Sequence, residues 1–215
     1  VCTNYRPGSR DFIRERLGVD ADFDYLAETY PAYSAPIVLG AGSAKVCRPA
    51  CFGLIPHWSR DTKIARSTYN ARSETVAEKP SFRNAWRRRQ FCLVPMRGFY
   101  EPNYESGSAV RWRIEPTSGE EFCVAGIWES WRAPTDAAVL SFSMLTINAD
   151  GHGLMQRFHA PGDEKRSIVV VAPADYDAWL GADDAGARAL LHAFDAGAFH
   201  AVADPRPRLP RASAR

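Results

Sequence analysis

The sequence predicts a single α+β domain whose core is a largely antiparallel, barrel-like β-sheet flanked by short helices. Three observations carry that expectation. Residues 91–172 hold six runs of strand length and composition, separated by turn residues. The 215 residues contain no internal repeat and no clear linker, and 46% of them are hydrophobic, enough for one substantial core. Helical periodicity is confined to four short stretches.

In chain order, residues 9–17 (SRDFIRERL) read as a helix, with Ser9 as N-cap, Phe12, Ile13, Arg16 and Leu17 on one face, and Gly18 ending it. Pro31, Pro36, Gly40, Gly42 and Pro49 then divide the chain into extended pieces, with short strands at 37–39 and 52–55, the second closed by Pro56. Residues 57–69 have no period and read as a long loop, which in a compact domain is more often functional than not. Pro80 suits the first position of a helix reaching about residue 89, with Phe82, Ala85 and Trp86 inward and the arginines outward. Strands are expected at 91–94, 97–101, 110–115, 122–128, 140–148 and 167–172. In the third, Val110, Trp112 and Ile114 alternate with Arg111, Arg113 and Glu115, as in a half-buried strand. The sixth is apolar throughout, as in a strand covered on both faces. Helices at 174–180 and 183–194 and a last strand at 199–203 complete a domain spanning residues 1–203. Residues 204–215, rich in proline and arginine, are expected to form a mobile tail.

No apolar run approaches 18 residues and no charged-then-apolar leader is present, so neither a membrane span nor a secretory signal is expected. Five cysteines at irregular spacing point to a reduced, cytoplasmic protein rather than a disulfide framework. Net charge is only +2, but residues 57–97 hold ten Lys or Arg against three acids, a local +7 that leaves −5 for the rest. Such asymmetry suits a polyanion, although a solvated arginine-rich helix face gives the same count.

Cys2 is the first candidate for chemistry. Val1 fits a GUG-type start decoded as methionine, and excision before a small residue would leave Cys2 with a free α-amine beside its own thiol. Such an exposed 1,2-aminothiol condenses with aldehydes: the amine forms a Schiff base and the thiol closes a thiazolidine. An α-amine titrates at about 7.7–8.0 against about 10.4 for lysine, so far more of it is neutral at pH 7. The plain alternative is a small residue near a frayed terminus. Asn70, Glu101 and His159 are polar positions against apolar surroundings. Their plain alternatives are a turn cap, a strand-end carboxylate paired with arginine, and a hydrogen-bonded structural histidine. Cys47, Cys51 and His57 have loose metal-ligand spacing without a second close pair, so no metal is expected there. The sequence has no glycine-rich phosphate loop and no Gly-x-Ser-x-Gly elbow.

Six ordered features now stand together: Cys2, Gly53-Leu54-Ile55-Pro56-His57-Trp58, Asn70-Ala71-Arg72-Ser73-Glu74-Thr75, Lys79-Pro80-Ser81-Phe82-Arg83, Gly98-Phe99-Tyr100-Glu101 and Phe158-His159. From residue 2 to about residue 180 they resemble the SRAP (SOS response-associated peptidase) family. The resemblance implies a protein that covalently traps abasic sites in single-stranded DNA. Cys2 would be the nucleophile through amine and thiol, and Asn70 would hold the N-terminus or the sugar. Glu101 would handle protons, and His159 would help open the deoxyribose. Arg72 and Arg83 would grip phosphates, and Trp58 would stack or wedge beside the lesion. It implies no metal or organic cofactor, and nothing demands more than a cytoplasmic monomer that joins the nucleoid on DNA. The chain departs from the family pattern at Thr3-Asn4, at Phe52 and at Pro102. It also runs His159-Ala160-Pro161-Gly162-Asp163-Glu164-Lys165-Arg166, which leaves Arg166 as the candidate for a nearby arginine contact to DNA. Two rival readings stay open: an N-terminal-nucleophile peptidase or amidohydrolase, and a non-covalent single-strand-binding module.

Overall fold

In a computed structural model describing residues 2–42, 44–132 and 138–206, a short strand β1 (Asn4–Pro7) leads into α1 (Arg10–Leu17). The helix is capped as expected, with the Ser9 side chain accepting from Phe12 N–H and Gly18 closing it in the left-handed region at φ 71°. β2 (Ser34–Ala41) and β3 (Ala44–Phe52) form a hairpin much longer than the expected 37–39 strand. The prolines that read as breaks fall opposite one another, Pro36 facing Pro49, so the missing donors coincide at one rung. β4 (Asn70–Arg72) follows, and then α2 (Arg83–Arg87), a shorter helix than expected, with Ala85 and Trp86 buried as read.

The expected strands 91–94 and 97–101 are one strand, β5 (Phe91–Asn103). Pro95 does not interrupt it, because β5 changes partners there: β2 lies against its first part and β1 against its second. After β6 (Val110–Pro116), β7 (Phe122–Arg132) and β8 (Ala138–Asn148), the apolar run 167–172 splits into β9 (Arg166–Ile168) and β10 (Val170–Val171). β9 pairs with β8 and β10 with β7, so this run crosses between two strands rather than extending one. α3 (Tyr176–Leu180), α4 (Asp184–Ala189) and β11 (Phe199–Ala203) follow, α4 stopping short of the expected residue 194.

The pairings β2–β3, β3–β8, β8–β7, β7–β5 and β5–β2 close a five-strand barrel, to which the other strands are added. Among the described residues all strand pairings are antiparallel except β3–β8 and β4–β8, which makes the sheet mixed. Alternate residues of the barrel strands serve two cores. Ile37, Leu39, Cys92, Val94 and Met144 join a cluster that contains Cys2, Tyr5, Phe52 and Phe158. Val38, Phe91, Leu93, Ile127 and Leu145 join a second cluster with Ile13, Trp86 and Trp179 of the helices. Strands covered on both faces explain apolar runs that lack period-two alternation. Two residues beyond β11 make contacts with the domain: Asp204 N–H donates to Arg111 O (2.9 Å) and Arg206 donates to the Tyr30 hydroxyl (2.6 Å). Residues 207–215 of the expected tail lie outside the described residues.

Candidate active site

The pairing of β1 with β5 sets Asn4 opposite Tyr100 and lays Cys2 beside Glu101, whose carboxylate faces the Cys2 backbone N–H. Parallel pairing of β4 with β8 brings Asn70 in from another side, and its Nδ2 donates to Cys2 O (3.2 Å). His159 arrives from a loop. Asn103, at the end of β5, forms a bridge with Phe158 and donates through Nδ2 to Arg157 O (3.0 Å), and His159 N–H donates to Pro102 O (3.0 Å). That places His159 Nε2 3.4 Å from Glu101 Oε2. Cys2, Asn70, Glu101 and His159 thus meet at one place. His159 sits in the left-handed region (φ 67°), a conformation that costs a non-glycine residue about 1–3 kcal/mol. Lys165 Nζ holds it there by donating to the carbonyls of His159 (3.3 Å) and Ala160 (3.0 Å).

Cys2 is 0% exposed, and its thiol donates to Asn4 O (3.6 Å). The exposed amino-thiol expected from the sequence is therefore corrected: the side chain is part of the core. Burial, with the nearby Glu101 charge, pushes the thiol well above its ordinary value, so it is a thiol rather than a standing thiolate. Burial raises the Glu101 carboxyl to about 7. Burial lowers His159 to about 4, so its ring is neutral at pH 7. An acid raised and a base lowered in one site is the arrangement expected of a proton-transfer pair. Among the described residues, Glu101 Oε1 is buried without a hydrogen-bond partner, and neither ring nitrogen of His159 has a well-aligned side-chain partner. The 3.4 Å approach of Nε2 to Glu101 meets the distance of an ion pair but not the alignment of a hydrogen bond.

A groove of about 360 Å³ opens from Asn70, lined also by Arg72, Thr75, Lys79, Pro80 and Phe82. Trp58 stands at its rim, 50% exposed, with Nε1 donating to Pro80 O (3.2 Å). Arg83 is exposed and carries no ion pair among the described residues. The same holds for Arg60, Arg66, Arg87, Arg88 and Arg89, whereas Arg10, Arg14, Arg16, Arg97, Arg113 and Arg157 are each matched to a carboxylate. Arg72 lies along the groove but is paired with Glu164 (2.6 Å). Arg166 does not sit where a phosphate contact requires. Its side chain is 3% exposed, and its guanidinium is spent on Glu74 (2.8 Å), Glu164 (2.6 Å) and Thr146 O (2.8 Å). It braces the Arg72–Glu164 pair from below. Larger hollows of about 410 and 430 Å³ run along Arg6 and Arg97, but those arginines face Glu115 and Glu121. Among the described residues no group of three His, Cys, Asp or Glu is placed to hold a metal ion, and no helix is long and apolar enough to cross a membrane. The sequence reading missed Lys165 and the partners that secure Asn4; both act through contacts between residues far apart in the chain or through backbone carbonyls, which leave no local pattern.

A profile described as SOS response associated peptidase (SRAP) matches residues 9–204. The abasic site processing protein YoqW of Bacillus subtilis is 30% identical over 196 residues, covering 86% of this chain and 84% of that protein. The mouse abasic site processing protein HMCES is 26% identical over 176 residues, and this match covers 50% of its length. A crystal structure from Bordetella bronchiseptica superposes with a TM-score of 0.89 at 30% identity, covering 95% of this chain and all of that one. A second, from Bacteroides thetaiotaomicron, shares the fold with a TM-score of 0.80 at 23% identity. With a family profile spanning nearly the whole chain and relatives alike along their length, the chain belongs to the SOS response associated peptidase (SRAP) family.

Proposed function

We propose that this chain senses abasic sites in single-stranded DNA and captures them on Cys2 as a thiazolidine, shielding the lesion from strand breakage. Relatives along most of the chain's length carry the name abasic site processing protein, which supports the substrate class. One structural observation supports the chemistry above the others: Glu101 and His159 lie buried side by side next to Cys2, with Nε2 3.4 Å from Oε2 and Glu101 Oε1 without a hydrogen-bond partner among the described residues. An unsatisfied buried polar group costs about 1–3 kcal/mol. A site that keeps such an oxygen beside an imidazole with no well-aligned side-chain partner is arranged for a polar guest such as a sugar hydroxyl or carbonyl.

The reaction needs the α-amine of Cys2, so Val1 must first be removed. An abasic deoxyribose is mostly a closed hemiacetal. Neutral His159 accepts the anomeric hydroxyl proton and returns it to the departing ring oxygen O4′, so the sugar opens to an aldehyde and a C4′ hydroxyl. The Cys2 amine adds to C1′, one of its protons passes to the former carbonyl oxygen, and the resulting hydroxyl leaves as water with a proton from Glu101, giving the protonated imine. As Sγ bonds to C1′, the thiol proton passes to the Glu101 carboxylate and the C=N electron pair returns to nitrogen. The sum is aldehyde plus amine plus thiol giving ring plus one water. A buried thiol far above its ordinary value suits this order, because it stays protonated until a base beside it accepts the proton. Each positioned transfer is typically worth about 10²–10⁴-fold. The closed ring has no imine, so it does not acidify C2′ toward β-elimination. Asn70 holds the Cys2 carbonyl, and Arg72, Arg83 and Trp58 hold the flanking strand, which is single because no partner strand then has to be displaced.

The test is an abasic oligonucleotide incubated with protein and run on a denaturing gel. The expected result is a retarded band that is lost in Cys2→Ala. A shift seen on native gels alone would favour the non-covalent binding module instead.

A further inference from the structure

Resting on that reading, we infer that Arg111 is a positioning residue for capture: one guanidinium bolts the strand that carries Cys2 to the strand that carries Glu101. Arg111 lies on β6 opposite Pro102, and its guanidinium stacks over the Tyr100 ring at 3.4 Å. Its Nε and Nη2 both donate to Asn4 Oδ1 (3.2 and 2.9 Å), and Nη2 also donates to Glu28 Oε2 (2.9 Å). Glu28 completes the bracket. Its Oε2 accepts from Asn4 Nδ2 (3.3 Å) and the Tyr30 hydroxyl (2.6 Å), and its Oε1 from the Tyr100 hydroxyl (3.4 Å). The Asn4 amide is therefore filled, its oxygen by Arg111 and its nitrogen by Glu28 and Thr29 O (3.2 Å).

The two ends of this bracket are one step from the chemistry. Asn4 O is the acceptor of the Cys2 thiol, and Tyr100 is the residue before Glu101. Arg111 itself bonds to Asn4, Glu28 and Asp204, not to a reacting group. β1 has only four residues, paired with β5 along one edge and with Thr29 at a single bridge on the other, so side-chain contacts at Asn4 carry much of its placement. Ring closure needs amine, thiol and carboxylate aligned together, and a misplacement of about 1 Å can cost on the order of 10²-fold in rate. Only a flat guanidinium can stack on an aromatic ring while forking to an amide and a carboxylate, so lysine is not an equivalent.

The experiment compares Arg111→Ala, Arg111→Lys and Glu28→Gln with the parent, all as full chains with Cys2 N-terminal. Three quantities are read: the first-order adduct rate at saturating abasic oligonucleotide, the half-saturating DNA concentration, and alkylation of each cysteine by iodoacetamide, located by peptide mass spectrometry. The expected result is a rate lower by on the order of tenfold to a hundredfold with half-saturation unchanged. Cys2 should be alkylated faster while Cys92, buried in the same cluster, is not. Arg111→Lys should not restore the rate, and adding Asn4→Ala to Arg111→Ala should cost little more. The inference is overturned by an unchanged rate, by a loss confined to half-saturation, which would make Arg111 a DNA contact, or by equal rises at Cys2 and Cys92, which would mean general loosening. If the parent itself forms no adduct, the capture reading fails, while the Cys2 alkylation comparison still decides whether the bracket holds the strand.

Discussion

Glu101 binds its proton more tightly in the folded chain, at about 7, than in the unfolded one, near the ordinary 4.5. The stability this contributes is complete below pH 4.5 and is lost as pH rises through 7. Glutamine does not titrate, so in urea titrations Glu101→Gln should gain on the parent between pH 5 and pH 8, by up to about 3 kcal/mol. A constant offset across that range would mean the carboxyl is not held neutral by burial. His159 works in the opposite sense: its lowered value disfavours the folded state only as pH falls below 6.5, so the comparison must be made against a variant that keeps His159. At this scale the sequence was informative about kind and silent about state. Cys2, Asn70, Glu101 and His159 stand out because they are polar or nucleophilic residues among apolar neighbours. That Cys2 would be buried is not legible, since its cover comes from residues such as Phe52 and Phe158, brought together by the fold. Nor is the Glu28–Arg111 pair, whose partners are 83 residues apart.

Gly53 shows how tightly the elements around the groove are set. It ends β3 at φ 118°, its N–H donates to Phe142 O (2.8 Å), and a Cβ there would lie 1.9 Å from Ala65 O. Gly53→Ala must therefore move either the barrel strand or the 3₁₀ turn at Lys63–Arg66 that walls the groove. A decrease of about 3 kcal/mol or more in denaturant titration is expected. A fully stable variant would show that the close approach is not real. Among the elements, α1 was readable from its caps, and β6 from its alternation. The β2–β3 hairpin was not, because two prolines that look like breakers locally are harmless when they face each other across a ladder. β5 and the β9–β10 run were misdivided for a related reason. A strand that changes partners midway carries no mark of the change in its own residues.

Across the whole molecule, among the described residues, the sequence's local +7 leaves six guanidiniums without carboxylates, at Arg60, Arg66, Arg83, Arg87, Arg88 and Arg89, while Arg72 and Arg97 of the same block are paired. Arg83→Ala should therefore weaken DNA binding and flatten its salt dependence by about 0.7 in log–log slope for each phosphate it no longer neutralises, with the adduct rate at saturation unchanged. Arg166→Ala should instead cost stability, by about 1–2 kcal/mol, because it removes a buried guanidinium and its bonds to Thr146, while Glu74 and Glu164 stay open to water. The reverse pattern, a flattened slope for Arg166 and none for Arg83, would restore the phosphate-binding role that the fold argues against. The charge block could be counted in the sequence, but which of its members are free depended on where Glu74 and Glu164 fell. All of this positions one condensation at one terminus, and intact-mass spectrometry of the trapped complex tests it most directly. The account predicts a species equal to the chain without Val1 plus the abasic oligonucleotide, less one water, that is absent for Cys2→Ala. A chain that retains Val1 and yields the same complex at the same rate would contradict it.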